Sequence, residues 1–149
     1  SEFNLEEQIW TVPAARAKCG APIRRPIPGR VMILLQEAAA RSRLKGGPVC
    51  RSPVNPKQSL SSASLIQLAE RVRDKLDLPY WRMHDMRRTL STRLSEERVM
   101  PQVTEKILGH RMAGVMAIYN LHDWLDEQRE AYELWDTKIM EAVKSLQEI

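Results

Sequence analysis

Little in this chain could staple, chelate or anchor. Only two of its 149 residues are cysteines, Cys19 and Cys50. They lie far apart and form no CxxC pair, which argues against a disulfide scaffold or a zinc ribbon and fits a reducing compartment. Histidine occurs three times, as His84, His110 and His122, none at metal-ligand spacing with a cysteine. A Gly-rich phosphate loop, a GxSxG elbow and an HExxH pair are all missing, so neither a metal nor a nucleotide cofactor is expected. The longest apolar run, Val31-Met32-Ile33-Leu34-Leu35, falls far short of the roughly 20 residues that span a bilayer. No basic-then-apolar leader opens the chain. These absences lead to the expectation of a cytoplasmic protein with no membrane partner.

What is present is an ordinary globular composition, 43% hydrophobic and 28% charged, with a net charge of +4 and a pI near 9.3. The length suits one domain with a core of its own. The charge is unevenly divided. Residues 120–149 hold eight acidic side chains against three basic ones, a balance of −5, which leaves +9 on residues 1–119. A basic body with an acidic C-terminal segment suggests a nucleic-acid face and a separate helix with another task, although a solvated charged surface accounts for the charge equally well.

Ile9-Trp10-Thr11-Val12-Pro13 reads as a short strand that ends at proline. The turn Lys18-Cys19-Gly20-Ala21 leads to a returning strand at Ile23–Ile27, so a small hairpin is expected. Val31, Leu34, Leu35, Ala38 and Ala39 recur at helical spacing from Val31 to about Leu44, and Gly46-Gly47-Pro48 stops that helix. Residues 48–61 carry three prolines without a period and read as a loop. Ser61 or Ser62 is expected to cap a helix that buries Leu65, Leu68/Ala69, Val72 and Leu76 and ends at Leu78-Pro79. A further helix is expected from His84-Asp85 to about Glu97, with Met86, Leu90 and Leu94 at four-residue spacing. Another is expected from Pro101, suited to a first helical position, to Gly109, suited to a C-terminal cap. From about Asp123 the chain is helix-compatible throughout, with Trp124, Ala131, Leu134, Trp135, Ile139 and Val143 forming an apolar stripe on an acidic rod. The fold expected is mainly α with a small N-terminal β-hairpin, an α+β class.

Chemistry concentrates in three places. On a helix, His84 and Arg87 of His84-Asp85-Met86-Arg87 stand at i and i+3, so an imidazole and a guanidinium share one face. Such a pair grips a phosphate oxygen with a planar fork and presents a proton acceptor beside it. His110 follows a glycine cap, a place that suits a purely capping imidazole as well as a functional one. Tyr119, in Val115-Met116-Ala117-Ile118-Tyr119, suits a core aromatic as well as a nucleophile.

Together, His84-Asp-Met-Arg87-Arg-Thr, Ile-Leu108-Gly109-His110 and Tyr119 nine residues later resemble the C-terminal motifs of the tyrosine recombinase, or phage integrase, family. The likeness is greatest to prophage and integrative-element integrases, and it runs from Trp10-Thr-Val-Pro to Glu133-Leu-Trp135. The resemblance implies the tyrosine recombinase catalytic-domain fold and a site-specific DNA recombinase. In such an enzyme a tyrosine hydroxyl attacks a DNA phosphodiester, giving a 3′-phosphotyrosyl link and a free 5′-hydroxyl, without ATP. By that resemblance Tyr119 is the nucleophile, and His84 takes the proton of a phenol whose pKa near 10 makes it sluggish at neutral pH. Arg87 and His110 hold the phosphate. Lys18 in the hairpin protonates the leaving 5′-oxygen, a task Arg16 cannot perform because it stays charged.

The family's first catalytic arginine, in an Arg-x-x-Glu stretch upstream of the hairpin, has no counterpart in residues 1–149. The expected organisation is therefore a C-terminal fragment of a larger integrase, truncated at its N-terminus and without the upstream DNA-binding domains. Its parts would be a hairpin over 1–28, a helical body over 29–122 and a C-terminal helix over 123–149. Loss of one charge stabiliser costs roughly a hundred- to a thousand-fold in rate, so little recombinase activity is expected of this fragment alone. The partners implied are double-stranded DNA at attachment sites, other protomers in a four-protomer synapse docked through the C-terminal helix, and an excision or DNA-bending factor. The same chemistry fits a type IB topoisomerase, and a decayed, non-catalytic DNA-binding remnant is a reading from a different class.

Overall fold

Branched and aromatic residues mark the middle strand of the sheet, and proline or glycine ends two of its strands and one of the helices. The computed structural model describes residues 2–18, 20–41, 47–110 and 122–147. It is an α+β structure of three antiparallel strands and, among the described residues, five helices. Two compact units divide the chain: Ser1–Met32 with Leu90–Ile149, and Ile33–Thr89.

In the first unit, β2 (Ile9–Val12) pairs with β3 (Ile23–Pro26), and Trp10 stands opposite Arg25. These strands match the expected hairpin. A third strand, β1 (Phe3–Asn4), adds an edge that no sequence pattern announced. Two residues are too few for a period, and β1 is held instead by Phe3 stacked on Trp10 at 5.6 Å between ring centroids. Helix α1 (Gly29–Arg41) begins where Met32 N–H donates to the Pro28 carbonyl.

The core of this unit comes from three helices: the second half of α3 (Met83–Glu96), α4 (Pro101–Leu108) and α5 (Leu125–Gln147). Leu94, Val103, Ile107 and Ala131 are buried together, lined by Leu90, Val99, Trp124, Tyr132 and Trp135. Pro101 opens α4 because its missing N–H lies where no intrahelical partner exists. Val103, Thr104, Ile107 and Leu108 then fall on one face, and all four are buried. Helix α5 packs on both β3 and α4. Gln128, fully buried, donates from Nε2 to the Asp123 carbonyl at 2.6 Å and so ties down the start of the helix. The apolar stripe of α5 fades along its length, from buried Ala131 through half-buried Leu134 and Trp135 to exposed Ile139 and Val143.

Tyr132 lies against this core. Burial pushes its phenol above the ordinary value near 10, and the charge and hydrogen bond of Arg25 oppose that rise. A phenol whose folded value exceeds its unfolded one adds stability that is fully present below about pH 10 and is lost as pH rises further. Urea unfolding at pH 9 and again near pH 11 is therefore expected to show a smaller alkaline loss of stability in Tyr132→Phe than in the parent.

In the second unit, Ser61 caps α2 (Ser62–Arg73), its Oγ accepting from Ser64 N–H at 3.1 Å. The loop before it holds one isolated bridge, Arg51 with Ser59. Two expectations fail here. The α2 stripe is not buried: Leu65, Leu68, Val72 and Leu76 are 48%, 49%, 44% and 45% exposed. Period produces an apolar face, but burial needs a second element against it, and α2 has no buried residue. The helix also ends at Arg73, short of Leu78-Pro79. Asp74 caps it, and the chain tightens into i→i+3 bonds from Lys75 N–H to Val72 and from Leu76 N–H to Arg73. Among the described residues no helix is long and apolar enough to cross a membrane.

Candidate active site

Helix α3 carries the first pair of candidates. Arg82 precedes the helix, and Asp85, at the third helical position, turns back so that Oδ2 accepts from Arg82 N–H at 2.9 Å. This is half of a capping box, and a carboxylate in the first turn also suits the positive end of the helix. The aspartate inside His84-Asp85-Met86-Arg87 is thus a structural residue that sets where the helix begins. It thereby fixes the phase of His84 and Arg87, which project from one face at i and i+3. His84 is exposed and Arg87 half-buried. Thr89 Oγ1 donates to the Asp85 carbonyl at 2.9 Å, and Arg88 lies 3.6 Å from the Asp85 carboxylate.

His84 also lines a cavity of about 290 Å³ with Arg73, Tyr80, Trp81 and Arg82. The Arg73 guanidinium sits 4.7 Å from the Tyr80 ring centroid and that of Arg82 5.5 Å, while Arg73 donates to the Trp81 carbonyl at 3.3 Å. The cavity lining also includes Glu70 and the apolar Ile66, Ala69 and Met83, so arginines and aromatic rings share the wall with an acid and an apolar floor.

His110 lies in the other unit, where α4 ends in a Schellman turn. Gly109, at φ +66°, donates to the Lys106 carbonyl at 2.9 Å, and His110 N–H donates to the Glu105 carbonyl at 3.0 Å. Its side chain is held as well, with Nδ1 2.7 Å from Glu105 Oε2. The Glu105 carboxylate thus holds the Nδ1 edge of the ring. The ring is placed by backbone and side chain together.

Lys18 is exposed on the hairpin turn. Before it, Ala17 N–H donates to Pro13 at 3.0 Å, and after it Gly20, at φ +70°, donates to Ala17 at 2.9 Å. Its neighbour Arg16 is paired with Glu2. Tyr119 and Cys19 lie outside the described residues. Of the five candidates, His84 and Arg87 thus share a helix face, while in the first unit His110 closes a turn and Lys18 sits within one.

Sequence reading missed two residues around His110. Glu105 was detectable in principle, since five residues back from the second residue past a Schellman turn is the position whose carbonyl that residue reaches. Arg25, on β3, gave no local signal at all.

No curated protein and no solved structure matches this chain significantly. The Phage integrase family matches residues 1–124, most of the chain, and includes every candidate position. With its motifs in order and its α+β fold in place, the chain belongs to the phage integrase family, the tyrosine recombinases.

Proposed function

We propose that this chain supplies the catalytic residues of a site-specific recombinase that cuts and rejoins double-stranded DNA through Tyr119. In this reading the Tyr119 hydroxyl attacks the phosphorus, the bond to the 5′-oxygen breaks, and a 3′-phosphotyrosyl link and a 5′-hydroxyl result. His84 takes the phenolic proton. Arg87 and His110 donate to the non-bridging oxygens, where negative charge grows and preorganised donors lower the barrier most. Lys18 hands its proton to the leaving oxygen. The reverse attack by a 5′-hydroxyl from a second DNA completes exchange, with the phosphodiester energy conserved in the tyrosyl bond.

The observation that carries the reading is the placement of His84 and Arg87 on one face of α3, with the helix start pinned by Asp85, in a chain that belongs to this family. The exposed apolar end of α5, at Ile139 and Val143, supports docking on a neighbouring protomer in a four-protomer synapse.

The test is a nicked suicide duplex carrying the element's core site, incubated with the chain extended upstream through an Arg-x-x-Glu stretch. A covalent adduct linked through the DNA 3′-phosphate is the expected product, and tight binding without any adduct overturns the proposal. Lys18 has a finer test. Lys18→Ala is expected to slow cleavage by roughly a hundred- to ten-thousand-fold on ordinary DNA, the span of general acid catalysis. With sulfur in place of the 5′-bridging oxygen most of that loss should vanish, because a thiolate leaves without needing a proton. An equal loss on both substrates would show that Lys18 is not the acid.

A further inference from the structure

Three elements of the first unit converge on one guanidinium, that of Arg25. On β3 it faces Trp10 across the sheet, 5.5 Å from the indole centroid. Its Nε donates to the Ile107 carbonyl at 3.2 Å. That carbonyl lies in the last turn of α4, where no intrahelical donor remains, and the Schellman bonds satisfy Glu105 and Lys106 instead. A cation at this end of the helix is also favoured by the helix dipole. On α5 the Tyr132 phenol lies near enough to feel the charge of the same guanidinium. The guanidinium presses so closely on the turn that a Cβ at Gly109 would stand 2.8 Å from Nη2, and 3.1 Å from Ile23 Cδ1.

We propose that Arg25 is a positioning residue for His110, clamping the Gly109–His110 turn to the sheet. Glycine at 109 then answers two demands: the left-handed backbone that closes α4, and the space the guanidinium takes. Lysine is a poor replacement for Arg25, because an ammonium cannot offer the planar fork whose Nε serves the Ile107 carbonyl while its Nη2 lies against Gly109. The positional claim stands on these contacts alone; its consequence for catalysis rests on the function proposed above.

The experiment is amide hydrogen exchange followed by NMR on this chain and its variants. In Arg25→Met the Gly109 and His110 amides are expected to exchange about tenfold faster relative to those of Leu94 and Val103, since a local opening is made easier without loosening the core. Arg25→Lys should recover only part of this protection. An unchanged ratio, or a uniform rise across turn and core, overturns the proposal. In the adduct assay at saturating DNA, Arg25→Met is expected to cut the cleavage rate about tenfold with DNA affinity unchanged, as slight misplacement of a catalytic group does. If the parent forms no adduct, the recombinase reading fails while the exchange measurement still decides the role of Arg25.

Discussion

Tyr119→Phe is expected to abolish the covalent DNA adduct while leaving DNA binding intact. The substitution deletes one oxygen, and that oxygen is the atom that would join the DNA. No neighbour replaces it: a phenyl ring has no nucleophile, and water activated by His84 would give hydrolysis and a free end, with no protein attached. Phenylalanine keeps the ring, so packing changes little. The measurement is a denaturing gel of the suicide-duplex reaction, with a mobility-shift assay beside it. An adduct that persists in Tyr119→Phe would move the nucleophile elsewhere in the chain. Loss of adduct and binding together would leave the effect structural.

The second large effect concerns the fold. Leu94 is 1% exposed and is among the largest fully buried side chains of the described residues, packed with Val103, Ile107 and Ala131. Leu94→Ala removes three heavy atoms from the meeting point of α3, α4 and α5 and leaves a cavity that helices pinned by caps close poorly. A loss of about 2–5 kcal/mol is expected. For a chain of this size that lowers the melting temperature by roughly 5–15 °C. Circular dichroism during heating provides the check. A similar truncation at Leu68, 49% exposed on α2, should cost far less, so the pair separates burial from mere loss of an apolar group.

Much of this was legible in the sequence because local rules govern it. Pro101 and Gly109 bracket α4, Ser61 caps α2, and branched residues mark β2 and β3. Each of these signals acts within a few residues of itself. Those not legible depend on partners distant along the chain. Strand β1 pairs with β2 over only two residues and is braced by one aromatic stack, and the stripe of α2 has the right period yet is left exposed. The site divides in the same way. The shared helix face of His84 and Arg87 and the place of His110 after a glycine cap were readable from spacing, and Asp85 in its motif proved to be the residue that starts the helix. Glu105 sits five residues from His110, within reach of turn geometry, whereas Arg25 and the Ile107 carbonyl are separated by 82 positions. No periodicity spans that distance.

The packing of α5 on β3 also governs the order in which the chain can become native. Arg24 meets Asp123 across 99 positions, Arg30 meets Asp136 across 106, and Arg129 meets Gln8 across 121. During synthesis the strands leave the ribosome well before the helix that covers them is made. At about 5–20 residues per second they wait for roughly 5–25 seconds. Throughout that interval the face of β3 that α5 will cover is open to water, to chaperones and to other nascent chains. Closing so long a loop is also the slow part of folding. The covered face of β3 is thus completed only after translation has passed α5.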